Sequence, residues 1–177
     1  MCKNKNLKRF LFLGDMPSVN NFLTAYQLNE LEHKFPLTVC YCGDCGMVEL
    51  EEVVNPEYMF KNYVYISSFS KTMLAHFGDL ATFLVEKFGL NSGTLVTEIG
   101  SNDGTLLKFF KTAGVPLLGV DPAKNLAKLA NDNGIETWDD FFSTKLAQRM
   151  VREKGHASVI IGTNVFAHID DLDKVLK

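Results

Sequence analysis

Apolar and polar positions are spaced differently in three parts of the chain, and each spacing predicts different elements. In the first 55 residues the apolar runs are short and bounded by turn residues, which predicts strands at residues 9–14, 36–42 and 46–54. Residues 24–34 between them are predicted as a loop or a short helix. In residues 70–89 apolar positions recur every three or four residues between Ser70 as a start cap and Gly89 as a stop, which predicts one amphipathic helix of about five turns.

Strand and helix patterns alternate from residue 94 onwards. The predicted strands are residues 94–100, 116–121, 135–139 and 157–164, and the predicted helices are residues 104–114, 123–134, 143–155 and a segment from Asp170. Such alternation indicates right-handed βαβ units, and therefore a parallel sheet with helices on both faces. The predicted fold class is α/β, a Rossmann-like parallel sheet of about four strands preceded by a small β-rich domain.

The end of the sequence interrupts this pattern. The last predicted helix begins at Asp170, and the sequence ends at Lys177 before the helix is complete. A parallel sheet that ends on half a helix leaves a sheet edge uncovered, which natural proteins avoid. We therefore expect the chain to be a C-terminally incomplete piece of a longer protein.

Composition and charge exclude several classes of function. A formal net charge of −3 and a pI near 5.8 provide no basic surface for a phosphate backbone, so nucleic acid is not an expected partner. No apolar run is long enough for a membrane span, and the apolar stretch near the N-terminus is too short for a signal peptide. Four cysteines without a secretory signal indicate reduced thiols or a metal, and we expect a cytoplasmic protein.

The sequence VTEIGSNDG at residues 96–104 lies where the first parallel strand turns into its helix, the place where such sheets bind ligands. A dinucleotide site needs three glycines so that the pyrophosphate can approach the backbone, but Thr105 stands at the third position. Glu98 precedes the loop, and its charge would disfavour a phosphate and suit a cation. The loop therefore predicts a ligand with an ammonium, a sulfonium and a ribose.

The other strand ends supply further candidates. Asp121 ends the second strand and can accept hydrogen bonds from both ribose hydroxyls, although NAD enzymes place an acid there too. An adenine would lie after the third strand beside Asp140, Phe141 and Phe142, and Asn164 and His168 would close the pocket after the fourth strand. One of the two phenylalanines is as readily explained as a core residue.

Together these strand ends resemble the S-adenosylmethionine site of class I methyltransferases. The motifs EIGSNDGTLL, LGVDPAKNLAKLA, GIETWDDFF and NVFAHIDDL are similar to one family, the sugar C-methyltransferases that build branched deoxysugars on nucleotide carriers. LGDMPSVNNF resembles the family's LGxMPxxNxF opening, FPLTVCYCGDCGMVEL its zinc-domain hairpin, and YVYISSFSKTMLAHF the segment that covers the cofactor. The resemblance implies a zinc-ribbon-like domain at residues 1–55, a helical connector at 56–90 and a cofactor-binding domain at 91–177.

The resemblance also assigns cofactor contacts by position. Glu98 and Gly100 would border the methionine end and the ribose, and Asp121 would hold the ribose hydroxyls. The complete implied set is Tyr63, Ser68, His76, Glu98, Gly100, Ser101, Asn102, Asp103, Gly104, Asp121, Pro122, Asp140, Phe141, Phe142, Asn164, Val165 and His168. Two alternatives stay open, because serines at residues 67–70 also cap helices and a helical His76 is commonly a surface or packed residue.

The cysteines predict a structural zinc site. Cys42 and Cys45 form a C-x-x-C knuckle that points two thiolates at one metal. The resemblance implies a second C-x-x-C near the N-terminus, in which Cys2 is the second cysteine and the first would precede Met1. Cys40 on the same strand face, His33 or a water are alternative ligands, and without a metal the cysteines would be small buried apolar residues. The predicted ligands are Cys2, Cys40, Cys42 and Cys45.

The reaction implied by the resemblance is transfer of a methyl group to a carbon of a nucleotide-linked keto-deoxysugar through an enolate. Such a reaction needs a general base and an oxyanion stabiliser. In the resembling family these groups lie downstream of the fourth strand, beyond Lys177, so no catalytic residue is assigned and His168 is expected to position rather than to act as base. Two alternatives remain: a non-catalytic zinc-binding interaction module and, less favoured by the loop, an NAD-dependent oxidoreductase.

Overall fold

A computed structural model describes residues 2–169 and 171–176. It divides the chain into two compact units, Met1–Met59 and Phe60–Lys177. Residues 60–90 thus belong to the same unit as the parallel sheet. Within the described residues, no helix has both the length and the apolar character that crossing a membrane requires.

The first unit is built on a three-stranded antiparallel sheet with the strand order β1-β2-β3. Its strands are β1 (Leu7–Pro17), β2 (Lys34–Cys42) and β3 (Val48–Leu50), and a single 3-10 turn lies at Gln27–Asn29. β3 is much shorter than the predicted 46–54 strand because only three of its residues pair with β2. β1 is longer than predicted and contains two irregularities in its register with β2.

The predicted amphipathic helix lies in the second unit. The short helix α1 (Pro56–Phe60) includes the last four residues of the first unit, a 3-10 turn follows at Ser67–Phe69, and helix α2 extends over Lys71–Phe88. The Ser70 hydroxyl accepts a hydrogen bond from the Met73 N–H at 3.2 Å, and Gly89 ends the helix. Both predicted caps are therefore confirmed.

A four-stranded sheet follows, and all of its neighbouring strands are parallel. Its strands are β4 (Val96–Ile99), β5 (Leu117–Val120), β6 (Thr137–Trp138) and β7 (Val159–Gly162), in the order β6-β5-β4-β7. The helices are α3 (Thr105–Thr112), α4 (Lys124–Asp132), α5 (Thr144–Lys154) and α6 (Leu172–Val175); the predicted start at Asp170 lies outside the described residues. The α/β fold-class prediction is confirmed.

The strand order determines where a ligand can bind. After β4 the chain proceeds outward to β5 and β6, and it then returns to place β7 on the other side of β4. The connections after β4 and β7 therefore diverge at the carboxyl ends of neighbouring strands, which creates the crevice that binds ligands in sheets of this type.

Two apolar clusters lie against the parallel sheet. One contains Phe77 of α2 and Phe110 of α3, and the other contains Leu146 and Met150 of α5. Consecutive residues of β5 join different clusters, Leu117 the first and Leu118 the second, as expected for side chains that alternate between the faces of a sheet. The sheet is therefore covered on both faces, and its carboxyl ends remain for a site.

Candidate cofactor and metal sites

The loop between β4 and α3 turns sharply because three of its residues adopt the left-handed conformation. These are Gly100 (φ 67°), Asn102 (φ 53°) and Gly104 (φ 75°). A Cβ at Gly100 would lie 2.6 Å from Cγ2 of Val165, and one at Gly104 would lie 2.8 Å from Cγ2 of Ile135. Both glycines are therefore required by backbone conformation and by close packing. Val165, a predicted cofactor contact, lies against the loop from the β7 side.

Asp121 fixes this loop from the end of β5. Its carboxylate accepts hydrogen bonds from the backbone N–H of Asn102 at 2.7 Å and of Ala123 at 2.8 Å. Burial raises the pKa of Asp121, and the two backbone hydrogen bonds oppose that rise. Each carboxylate oxygen keeps a second lone pair, so Asp121 can still accept a ribose hydroxyl.

Glu98 occupies β4 just before the loop and is only 2% exposed. Burial raises the pKa of Glu98 well above its usual range; the Thr163 hydroxyl, 3.5 Å from Oε1, opposes the rise, and the negative charges of Asp121 and Asp103 add to it. Burial therefore disfavours the ionised carboxyl of Glu98, and a cation beside it would favour that form. Among the described residues, the buried Oε2 atom has no hydrogen-bond partner.

Asn102 and Asp103 use their side chains to hold the segment before α2. The Asn102 amide donates to the Tyr65 carbonyl at 3.0 Å and accepts from the Ser67 N–H at 3.0 Å. Asp103 accepts from the Ser68 N–H at 3.3 Å and from the Thr105 hydroxyl at 2.7 Å. The side chains of both loop residues therefore bond to protein groups.

Tyr63 and His168 both lie near Phe60. The ring of Phe60 is 5.7 Å from that of Tyr63 and 5.6 Å from that of His168, measured between centroids. His76 is exposed on α2, with its ring 5.9 Å from the Phe77 ring. The structure thus brings Tyr63 and His168 together through Phe60 and places His76 on a helix surface.

The residues after β6 have mixed surroundings. Asp140 is exposed and accepts a hydrogen bond from the Phe141 N–H at 2.8 Å. Phe142 is half-buried and packs against the apolar cluster that contains Leu118, as the core alternative expects. Asn164, after β7, is exposed in the left-handed conformation.

The remaining predicted contacts flank Asp121 and Gly100. Pro122 is half-buried, and the Ser101 hydroxyl is buried with no hydrogen-bond partner in the described part of the chain. Ser101 lies against Gly119 of β5, where a Cβ would be 2.5 Å from its Oγ.

Sequence reasoning did not identify three residues that shape this site, namely Asn125, Thr163 and Gly119. Asn125 binds the main chain of Tyr63, Thr163 contacts Glu98, and Gly119 makes room for Ser101. Only Gly119 left a signal, a glycine in the middle of a buried strand, which indicates a close approach.

Three cysteines of the first unit form a cluster. The sulfur atoms of Cys2, Cys42 and Cys45 all lie within 4.8 Å of one another. The Gly46 N–H donates to the Cys42 carbonyl at 3.0 Å, which closes the predicted knuckle. The backbone N–H groups of Cys45 and Asp44 lower the pKa of Cys42, which favours the thiolate that zinc binds. Three converging thiols fit a tetrahedral zinc with one more ligand.

Cys40 lies outside this cluster. It is fully buried, and burial raises the pKa of its thiol. Alternate residues on one strand face are separated by about 7 Å, which explains why Cys40 does not reach the thiols that Cys42 joins. His33, another alternative ligand, has its ring 6.4 Å from that of Tyr58.

Comparison with known proteins gives a family match for the first unit and a relative for nearly the whole chain. Residues 1–60 match the Methyltransf_13 family, described as “Putative zinc binding domain”. The C-methyltransferase NovU of Streptomyces niveus is 35% identical over 176 residues, which make up 99% of this chain and 42% of that protein. The chain thus spans less than half the length of this curated relative. These findings confirm the resemblance and the zinc-binding domain that the motifs predict.

Solved methyltransferase structures have partial similarity to the chain. A Methanococcus maripaludis protein, described as “a putative s-adenosyl-l-methionine-dependent methyltransferase”, has a TM-score of 0.49 and 17% identity, with 62% of this chain and 52% of that chain covered. The plantazolicin methyltransferase BpumL in complex with SAH has a TM-score of 0.44 and 19% identity, with 60% and 43% covered.

Proposed function

We propose that this chain is the zinc-binding and cofactor-binding part of an S-adenosylmethionine-dependent C-methyltransferase. The observation that carries the proposal is the buried Glu98 Oε2, an unpartnered acceptor at the carboxyl end of β4. Leaving such an atom without a donor costs about 1–3 kcal/mol, and the ammonium of the cofactor would offset that cost. The name of the relative NovU supports C-methylation as the reaction.

The chain's own residues would bind and orient the cofactor. S-adenosylmethionine, when bound, supplies an electrophilic methyl group on a sulfonium. Glu98 would accept from its ammonium and Asp121 from its ribose hydroxyls, while the turn at Gly100 leaves the backbone free of side-chain bulk. A cation beside Glu98 favours the ionised carboxyl, so binding would release a proton when Glu98 starts neutral.

The proposed substrate is a nucleotide-linked keto-deoxysugar that is methylated on carbon through its enolate. The motif resemblance supports this substrate class. His168, whose ring lies 5.6 Å from that of Phe60, would position substrate or cofactor groups after β7. We assign no general base among the residues of this chain.

The zinc of the first unit would have a structural role. Cys2, Cys42 and Cys45 would hold it as thiolates, and a fourth ligand would complete the tetrahedral shell.

Calorimetric titration of the purified chain with S-adenosylhomocysteine, and separately with NAD, tests the proposal. We expect saturable binding of S-adenosylhomocysteine with a Kd of about 1–100 μM, and no binding of NAD. Glu98→Gln should weaken the affinity at least about tenfold because it removes the carboxylate that a cation requires. Glu86→Gln, on the exposed surface of α2, is the matched control and should bind like the wild type.

Two results would overturn the proposal. The first is a folded sample that binds NAD and not S-adenosylhomocysteine, which would favour an oxidoreductase. The second is a folded sample that binds neither compound, which would leave the interaction-module alternative.

A further inference from the structure

Residues 63–68 pass the connections that follow β4 and β5, and two asparagine side chains hold their main chain there. Asn125, in the first turn of α4, accepts from the Tyr63 N–H at 3.1 Å and donates to the Tyr63 carbonyl at 2.7 Å. Asn102, in the loop after β4, forms the equivalent pair with the Ser67 N–H and the Tyr65 carbonyl, both at 3.0 Å. Each amide therefore bonds to main-chain groups as a neighbouring strand would.

The bonds that the two amides form are to main-chain groups, so they do not require particular side chains in the segment. Val64 and Tyr65 are 44% and 46% exposed, so burial of these two side chains contributes little, while the other four residues of the segment are half-buried. Loss of one amide would therefore release main-chain groups without opening a cavity in the core. Such a change affects the segment more than the fold.

Asn102 also connects the segment to the candidate ribose site. Its own backbone N–H donates to Oδ2 of Asp121 at 2.7 Å. A displacement of Asn102 would therefore alter both the position of residues 63–68 and the orientation of the Asp121 carboxylate. The neighbouring Asp103 adds a third attachment through the Ser68 N–H, two residues before the cap of α2.

We infer that Asn102 and Asn125 are positioning residues, which hold residues 63–68 as one wall of the S-adenosylmethionine site. This inference rests on the proposed function and assigns a role to Asn125, which the motif resemblance did not include. The amides act through the main chain of residues 63–68 and, for Asn102, through Asp121. They are not proposed to touch the methyl group or the substrate.

The test uses Asn102→Asp and Asn125→Asp in the 177-residue chain. Each variant keeps the size of the side chain but replaces the amide donor with an oxygen that faces a carbonyl oxygen. Asn91→Asp is the matched control, because Asn91 also donates to a main-chain carbonyl (Gly89) and accepts from a main-chain N–H (Gly93), both at 2.9 Å, before β4.

Three quantities are measured for each protein. They are the Kd for S-adenosylhomocysteine, the thermal midpoint of unfolding, and the rate of amide hydrogen exchange at Tyr63 and Ser67. We expect Asn102→Asp and Asn125→Asp each to raise the Kd about tenfold, the factor that loss of one hydrogen bond of about 1.4 kcal/mol produces. We also expect faster exchange of the Ser67 amide in Asn102→Asp and of the Tyr63 amide in Asn125→Asp. Asn91→Asp should change neither the Kd nor these exchange rates.

The outcomes separate this inference from the proposed function. If the wild type does not bind S-adenosylhomocysteine, the proposed function fails and the inference fails with it as a statement about the cofactor site. If the wild type binds, and Asn102→Asp and Asn125→Asp bind equally well despite faster exchange at Tyr63 and Ser67, only the inference is overturned. The inference would also be overturned if all three variants, including Asn91→Asp, lost affinity to the same extent and their thermal midpoints fell by the same amount.

Discussion

The two units of the chain are stabilised in different ways. In the described part of the first unit, Thr38, Cys40 and Cys42 are the only buried residues, and large apolar side chains such as Phe12 and Phe22 are 65% and 78% exposed. The second unit has two buried apolar clusters that include Phe110 and Leu118, each 0% exposed. A unit with so small a core needs another source of stability, and the cysteine cluster provides one through a metal.

The two units also contain different kinds of candidate site. The cysteine cluster combines the exposed Cys2 and Cys45 with the buried Cys42 at the end of β2, and function there requires only that three thiols converge on one ion. The candidate cofactor site lies at the ends of buried strands, where burial raises the pKa of both Glu98 and Asp121. The first unit should therefore respond mainly to metal removal, and the second to changes in packing and pH.

The largest expected effect is that of metal removal. A chelator should unfold the first unit, because zinc-binding domains gain apparent folding free energies of about 10–16 kcal/mol from their metal. Amide protection of β2 should be lost, while that of β4 and β5 should persist. Cys42→Ala and Cys45→Ala should each abolish bound zinc, as measured by metal analysis.

Cys40→Ala is the control for that experiment, because Cys40 is buried outside the cluster. It should retain a full equivalent of zinc. If it loses zinc as completely as Cys42→Ala does, the assignment of ligands to Cys2, Cys42 and Cys45 is contradicted.

A smaller effect is expected from opening the core of the second unit. Phe110→Ala should lower its free energy of unfolding by about 3–5 kcal/mol, because a fully buried phenyl ring is replaced by a cavity. Phe88→Ala, at a position that is 53% exposed on α2, should cost much less. Denaturant unfolding monitored by Trp138 fluorescence measures both; equal losses would contradict the assigned core.

The smallest effect concerns the pH dependence that Glu98 imposes. Since its folded pKa lies above the ordinary 4.5, its contribution to stability is present below that pH and is lost as pH rises through the folded pKa. Glu98→Gln cannot lose this contribution, so the thermal midpoint of the variant relative to that of the wild type should rise as the pH increases above 4.5. Asp121 is present in both proteins, and a difference in thermal midpoint that does not change with pH would contradict the burial argument.

Elements determined by local pattern could be predicted from the sequence. The caps at Ser70 and Gly89 and the four parallel strands followed directly from residue spacing. The lengths of β3 and β6 could not be predicted, because pairing with a neighbouring strand limits them to three and two residues.

Within the site too, residues that local geometry requires could be predicted, and properties that depend on distant residues could not. The glycines of the loop and Asp121 were visible in the sequence because strand ends and backbone turns require particular residue types. The raised pKa of Glu98 was not, because it depends on burial by the rest of the fold. The direction of the Asn102 side chain depends on residues 65 and 67, which are more than thirty positions away.

The most direct test of the account is an amide NMR titration of the zinc-loaded chain with S-adenosylhomocysteine. Binding at the carboxyl ends of the parallel strands predicts saturable shifts at Gly100, Asn102 and Ala123, with the amides of the Cys42–Cys45 turn unchanged. Saturable shifts confined to that turn, or an unchanged spectrum around residues 100–104 at saturating ligand, would contradict the central claim that this loop and Asp121 form the cofactor site.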